Sequence, residues 1–154
     1  MKCNVLDRTT LWSWCNLMSA PAPAPALRRD RKLVFFLSFG GSLTKWEKEG
    51  ILSREIRILG EYLRSGVFDE ILLFTYDAND AALIPRLALT EPSLAGLHVL
   101  PPARVFTRAG KAGKVIYSLV GPLFHFSGIR RAGLLRTNQI SGSWSALVAA
   151  IVSR

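Results

Sequence analysis

Cysteine and histidine are scarce in this chain of 154 residues, which holds two of each. The cysteines, Cys3 and Cys15, fall within the first fifteen residues, and the histidines, His98 and His125, lie far from them and from each other. A structural zinc site needs four ligands of these types at close spacing. We therefore expect no metal and no cofactor, interpret the thiols as incidental, and predict a reducing compartment. Both histidines are interpreted as structural.

Acidic residues are missing from the last third of the chain. The net charge is +9, and Glu91 is the last acidic residue, whereas eight basic residues follow it: Arg104, Arg108, Lys111, Lys114, Arg130, Arg131, Arg136 and Arg154. Such an imbalance predicts attraction to phosphate groups, acidic lipid, nucleic acid or an acidic partner, and the simpler alternative is a basic soluble surface. The basic residues do not alternate with aromatic ones as in a base-stacking platform, so we expect no nucleic-acid partner.

A long apolar run is also lacking. The longest, Val115 to Ile129, lies between Lys114 and Arg130 and is shorter than the roughly 20 residues that a membrane-crossing helix needs. We expect a cytoplasmic protein. Two interpretations of this run stay open, a segment that lies on an anionic membrane surface and a buried helix that connects two strands.

Composition divides the chain into two parts. Residues 1–30 contain Pro21, Pro23 and Pro25 in alternation with alanine, which predicts a disordered N-terminal extension without a packed core. Residues 31–154 carry the hydrophobic patterns of one folded domain.

Within that domain, short continuous apolar runs alternate with helical patterns. Continuous runs are typical of parallel strands buried on both faces. The predicted strands cover residues 33–37, 70–76, 97–100 and 133–137. The predicted helices cover residues 51–64 (stopped by Ser65-Gly66), 81–89 (weakened by Pro85), 114–126 (with a break at Gly121-Pro122) and 143–152 (capped by Ser143). This alternation predicts an α/β fold, a Rossmann-like parallel sheet with helices on both faces.

Ligands of such sheets bind at the carboxyl ends of the strands. After the first strand come Gly40, Gly41 and Ser42, where exposed backbone N–H groups would suit an anion or a sugar hydroxyl. After the fourth strand come Asn138 and Gln139, whose side-chain amides suit sugar hydroxyls. The alternatives are a plain tight turn for the glycines and loop or helix capping for the amides.

Several residues together resemble a known family. They are Gly40-Gly41, Trp46, Gly50, the Arg54-Glu55 pair and, most specifically, the stretch from Arg136 to Ala146 that reads Arg-Thr-Asn-Gln followed by Gly, Trp and Ala. Residues 31–154 resemble the N-terminal domain of the retaining glycosyltransferases of family 4, which have the two-domain GT-B architecture. The resemblance implies that Gly40, Gly41, Ser42, Asn138 and Gln139 face the cleft between the two domains.

The resemblance also implies a function. It indicates the acceptor-side half of a hexosyltransferase-type enzyme that uses a nucleotide sugar, without a metal, in polysaccharide or glycolipid synthesis. The expected acceptor is a sugar or a lipid-linked molecule. In this family the second domain holds the donor, so we expect this incomplete N-terminal domain to be inactive alone. The alternative is a non-catalytic fragment or subunit that needs a separate donor-binding domain.

Trp144 and the Arg54-Glu55 pair each allow a structural role or a role in a binding site. Trp144 is interpreted as a residue that packs its helix, with a sugar-stacking platform as the alternative. Arg54 and Glu55 are interpreted as an ion pair on the first long helix and not as site residues.

Overall fold

The computed structural model of the chain describes residues 31–138, 140 and 143–153. The predicted extension at 1–30 and the candidate residue Gln139 lie outside these residues. In chain order the elements are β1 (Lys32–Phe36), α1 (Leu43–Lys48), α2 (Leu52–Arg64), β2 (Glu70–Phe74), a 3-10 turn (Asp80–Leu83), α3 (Ile84–Thr90), a second 3-10 turn (Pro92–Gly96), β3 (Leu97–Leu100), α4 (Arg104–Arg108), α5 (Gly110–Phe124), α6 (Phe126–Ile129), β4 (Leu134–Thr137) and α7 (Ser143–Val152).

The four strands form one sheet in the order β3-β2-β1-β4, and every pair is parallel. At its centre, Val34 of β1 lies between Leu72 of β2 and Leu135 of β4. Parallel neighbours need crossover connections, and the intervening helices provide them. The predicted Rossmann-like α/β fold is confirmed.

Alternate residues of β1 face two separate hydrophobic cores. Leu33 and Phe35 pack in a cluster with residues of α1, α2 and α3. Val34 and Phe36 pack on the opposite side against Tyr117 of α5 and residues of α6 and α7. These four side chains of β1 are all buried, so helices cover both faces of the sheet. This two-sided burial explains why the strand is apolar at every position from Leu33 to Phe36.

The end of α2 follows the predicted stop signal. The helix finishes at Arg64, and Gly66 adopts a positive φ of 66° while its N–H donates to the carbonyl of Leu63 at 3.1 Å. A left-handed residue at this point is most easily supplied by glycine. Pro85 does not weaken the next helix, because it lies in the first turn of α3. Backbone N–H groups in the first turn make no hydrogen bond within the helix, so the absence of one costs nothing there.

The predicted break at Gly121-Pro122 is wrong, because α5 continues through Pro122 to Phe124. A proline inside a helix leaves the carbonyl four residues earlier without its partner, here that of Ser118. The Ser145 hydroxyl of α7 donates to that carbonyl at 2.8 Å. The hydroxyl oxygen of Ser145 also lies 3.1 Å from the Tyr76 hydroxyl. Because Ser145 uses its own proton in the bond to Ser118, Tyr76 is the donor in this second bond. A side chain from a neighbouring helix thus replaces the hydrogen bond that Pro122 removes.

The final helix begins at Ser143. The residue before Ser143 lies outside the described residues, so the predicted capping role of Ser143 stays a prediction. None of the helices in the described part of the chain is both long enough and apolar enough to cross a bilayer.

We expect Ser145→Ala to lower the free energy of unfolding by about 1.5 kcal/mol, because it leaves the buried carbonyl of Ser118 and the buried hydroxyl of Tyr76 without a partner. Urea unfolding followed by circular dichroism measures this loss. The control is Ser65→Ala, which removes an exposed hydroxyl bonded at 3.3 Å to Tyr62 and should change stability by less than about 0.5 kcal/mol. Equal effects of the two substitutions would contradict the role assigned to Ser145.

Candidate functional site

The strand order places a switch point between β1 and β4. From β1 the chain moves to β2 and then β3 on one side, and it returns to form β4 on the other side of β1. Connections leave in opposite directions at such a point, which opens a crevice at the carboxyl ends of the two strands. The N–H of Asn138 donates to the carbonyl of Phe36 at 3.1 Å, so the residues after β4 and those after β1 begin at the same edge. The predicted placement of these two segments at one edge is confirmed.

The double glycine forms a tight turn directly after β1. Gly41 donates its N–H to the carbonyl of Ser38 at 2.7 Å, and Gly40 between them has a positive φ of 72°. A Cβ atom on Gly41 would lie 2.8 Å from the Ser38 oxygen, closer than a side chain allows. The carbonyl of Gly41 accepts from the N–H of Tyr76 at 3.1 Å, which joins the turn to the loop after β2. Both glycines are therefore required by the turn itself.

Ser42 and Asp80 together cap α1. The Ser42 hydroxyl accepts from the N–H of Lys45 at 3.0 Å. The carboxylate of Asp80 accepts from the N–H of Leu43 at 2.9 Å and from both the N–H and the hydroxyl of Thr44 at 3.1 Å. The backbone N–H groups at the start of α1 therefore donate to side chains of the protein, the acidic Asp80 and the neutral Ser42.

Asp80 is fully buried, and the sequence did not single it out. Burial raises the pKa of its carboxyl group, an effect that the bonds from Leu43 and Thr44 oppose. Asp80 already accepts hydrogen bonds from the N–H groups of Leu43 and Thr44 at the N-terminus of α1. These groups are therefore not offered to a phosphate at this edge of the sheet. The sequence signal that could have identified Asp80 is its position just after the loop that closes β2.

An open cleft of about 530 Å³ lies at the same edge of the sheet. Its walls are Phe39 of the glycine turn, Val115, Ser118 and Leu119 of α5, and Trp144 of α7. The Trp144 side chain is 64% exposed, so the interpretation of this residue as helix packing is wrong. The cleft is mainly apolar and combines two aromatic side chains with aliphatic ones, a composition typical of small-molecule sites.

A basic group lies beside the glycine turn. The Cδ and Nζ atoms of Lys114 are each 4.0 Å from the point that a Cβ atom on Gly40 would occupy. Phe39 and Val115, the chain neighbours of these two residues, both line the cleft, whereas Lys114 itself lies beside the turn and not in the cleft wall. Asn138, at the end of β4, has an exposed side chain and thus adds an amide at the same edge. Sequence reasoning placed Gly40 and Asn138 here but missed Lys114 and Phe39.

His125 belongs to the buried aromatic cluster behind the cleft. Its Nε2 atom lies 3.1 Å from the Tyr117 hydroxyl, which donates to the carbonyl of Leu100 at the same distance. Burial lowers the pKa of His125, against the opposing hydrogen bond to the backbone of Pro101, and burial raises the pKa of Tyr117. These contacts join the end of α5 to the end of β3, which agrees with a structural role for His125. His98 is exposed on β3.

A second groove of about 520 Å³ lies between α2 and α3, on the other face of the sheet. Its charged residues include Glu47, which pairs with Arg86, and Glu91, which pairs with Arg64. The Arg54–Glu55 ion pair lies on α2, with N and O atoms 2.7 Å apart. Gly40, Gly41, Ser42 and Asn138, the predicted site residues that the structure describes, do not line this groove.

No family model, no curated protein and no solved structure matches the chain. The candidate site is therefore defined by the edge of the sheet, the cleft beside it, and the residues Phe39, Gly40, Lys114, Asn138 and Trp144.

Proposed function

We propose that the chain is the acceptor-side domain of a glycosyltransferase that uses a nucleotide sugar in polysaccharide or glycolipid synthesis. The observation that carries this proposal is the meeting of the glycine turn and Asn138 at the switch point, beside an open cleft with two aromatic walls. The resemblance of residues 136–146 to family 4 enzymes supports it from the sequence side.

Four residues of the candidate site have chemical tasks in this proposal. The faces of Trp144 and Phe39 offer apolar surface to the C–H face of a sugar ring, and the Asn138 amide can donate to and accept from hydroxyl groups. Lys114 provides a positive charge for an acceptor or donor that carries a phosphate. Together these groups would orient an acceptor toward a donor that a second domain holds.

The cleft walls also favour the non-catalytic alternative for the chain by itself. Among the described residues that line the cleft, none is a carboxylate, histidine or cysteine. Without a base or a donor domain at this edge, donor and acceptor are not held in reacting geometry, and the large rate advantage of proximity is lost. We therefore propose that a separate donor-binding domain or subunit completes the site.

Saccharide binding to the purified chain tests the proposal. We expect ¹⁵N–¹H spectra recorded with a panel of short oligosaccharides to show shifts of the Gly40, Gly41 and Asn138 amides and of the Trp144 indole. We also expect Trp144→Ala to weaken binding about tenfold, a loss typical of an aromatic contact residue. The matched control is Leu89→Ala on α3, which changes a side chain that is 86% exposed on the other face of the sheet.

Two results would count against the proposed function. One is a panel in which no saccharide shifts these resonances. The other is sugar transfer from a nucleotide sugar by the chain alone, which would contradict the need for a separate donor-binding domain.

A further inference from the structure

The long helix α5 exposes large apolar residues, and apart from Tyr117 the residues that it buries are small. Its buried positions are Gly113, Tyr117, Ser118, Gly121 and Pro122. Its exposed positions include Val115, Ile116, Leu119, Leu123 and Phe124, which are 46–69% exposed. A surface helix of a protein in water normally has the opposite arrangement, with aliphatic side chains inward and polar ones outward.

The final helix α7 repeats this inverted pattern. Its buried residues are Ser145 and Ala149, whereas Trp144, Leu147 and Ile151 are 53–66% exposed. The two helices contact each other through the Ser145–Ser118 hydrogen bond, and Leu119 and Trp144 line the same cleft. Their exposed side chains therefore form one surface, the apolar face, made of Val115, Ile116, Leu119, Leu123, Phe124, Trp144, Leu147 and Ile151.

Helices that contact lipid commonly place small residues toward the protein interior and large apolar residues toward the outside. There the interior contacts are made by close backbone packing, and the outer side chains meet acyl chains. Contiguous apolar surfaces of this kind in soluble proteins mark binding sites for a membrane or another protein. At 15 residues, α5 is about 22 Å long, shorter than the roughly 30 Å core of a bilayer. A helix of this length contacts lipid by lying along the membrane surface.

The charges near the apolar face indicate which surface it meets. Elements α4 to α6 and the residues that follow them carry exposed Arg104, Arg108, Lys111, Arg130 and Arg131. No acidic residue occurs after Glu91 in the whole chain. Basic residues near an anionic leaflet each contribute about 1 kcal/mol of attraction. An apolar face whose main helix has exposed basic residues before and after it in the chain fits a bilayer that contains acidic lipid.

We propose that the apolar face docks on an anionic membrane, with α5 and α7 lying in the interfacial region. This proposal combines the two alternatives for the run from Val115 to Ile129, because one side of α5 packs on the sheet and the other side would contact lipid. A second copy of the chain is a poorer occupant, because a symmetric interface would bring the same basic residues against each other. The apolar face shares Val115, Leu119 and Trp144 with the cleft. Vesicle binding is measured without a saccharide, so its failure and the failure of the proposed function are distinguishable.

Vesicle flotation tests this proposal. Vesicles of phosphatidylcholine with about 30 mol% phosphatidylglycerol are compared with pure phosphatidylcholine vesicles at about 0.15 M salt. We expect the partition coefficient of the wild-type chain to be at least about tenfold higher on the anionic vesicles and to fall as salt is raised. We expect Leu123→Glu to reduce it about tenfold or more, because it puts a carboxylate into the apolar face.

The matched control is Leu89→Glu, which introduces the same charge at an exposed leucine of α3 on the other side of the sheet. It should leave partitioning within about twofold of the wild type, and circular dichroism checks that both variants fold. Equal losses in both variants would overturn the proposal, as would a wild type that binds neither vesicle. A dimer in solution that Leu123→Glu dissociates, without vesicle binding by the wild type, would assign the face to a second copy instead.

Discussion

Gly121→Ala is expected to lower the free energy of unfolding by about 2 kcal/mol, although alanine favours a helix over glycine by about 1 kcal/mol. A Cβ atom at this position would lie 2.5 Å from Cζ of Phe74 and 2.8 Å from Cε2 of Tyr117. The Phe74 and Tyr117 rings stack with their centroids 4.7 Å apart, and both are buried, so neither can move away freely. The α5 backbone would have to move away from the sheet. Urea unfolding measures the loss.

Gly128→Ala is the control for this prediction. Its added Cβ atom would lie 3.2 Å from Cδ1 of Leu72, the end of a flexible side chain. We expect a change within about 1 kcal/mol, because a small rotation of Leu72 relieves the contact. If Gly121→Ala proved as stable as the wild type, α5 would not pack on Phe74 as described.

The sheet could be predicted from the sequence because each buried strand leaves a strong local signal. The run from Leu33 to Leu37 is apolar at every position, and the structure explains this by burial on both faces. The end of α2 at Ser65-Gly66 was equally visible, because a left-handed glycine ends a helix whatever surrounds it. Signals of this kind depend on residues close together in the chain.

The course of α5 could not be predicted, because it depends on a residue far along the chain. Pro122 predicts a break by its own chemistry, and the helix continues since Ser145 bonds to the carbonyl that Pro122 leaves free. Nothing near Pro122 in the sequence indicates that partner. Capping of α1 by Asp80, 37 residues after Leu43, was missed for the same reason.

Only the part of the candidate site that the strand order determines could be predicted from the sequence. Parallel strands place Gly40 and Asn138 at one edge, so the general rule for such sheets was enough to pair them. The walls of the cleft come from Phe39, Val115 and Trp144, and their meeting depends on how α5 and α7 pack. The exposure of Trp144 is likewise a result of this packing, which explains why its sequence interpretation was wrong.

Asp80→Ala is expected to have the largest effect on stability, a loss of about 3 kcal/mol in the free energy of unfolding. The substitution leaves the N–H groups of Leu43 and Thr44 and the Thr44 hydroxyl without their acceptor at a buried helix end. The control is Asp77→Ala, whose carboxylate accepts one exposed bond from the N–H of Asn79 at 2.9 Å. Its loss should be about 1 kcal/mol or less, and equal losses at both positions would contradict the role of Asp80 in holding α1.

The loss caused by Asp80→Ala should also depend on pH. Burial raises the pKa of Asp80 in the folded chain above its ordinary value of 3.8, so the folded chain binds more protons than the unfolded chain between these two values. The stability that Asp80 contributes is then fully present below the ordinary pKa and declines as pH rises through the raised one. We expect the difference in unfolding free energy between wild type and variant to be larger at about pH 4 than at about pH 7. A difference that grew with pH would mean that the hydrogen bonds from Leu43 and Thr44 outweigh burial and hold this pKa below its ordinary value.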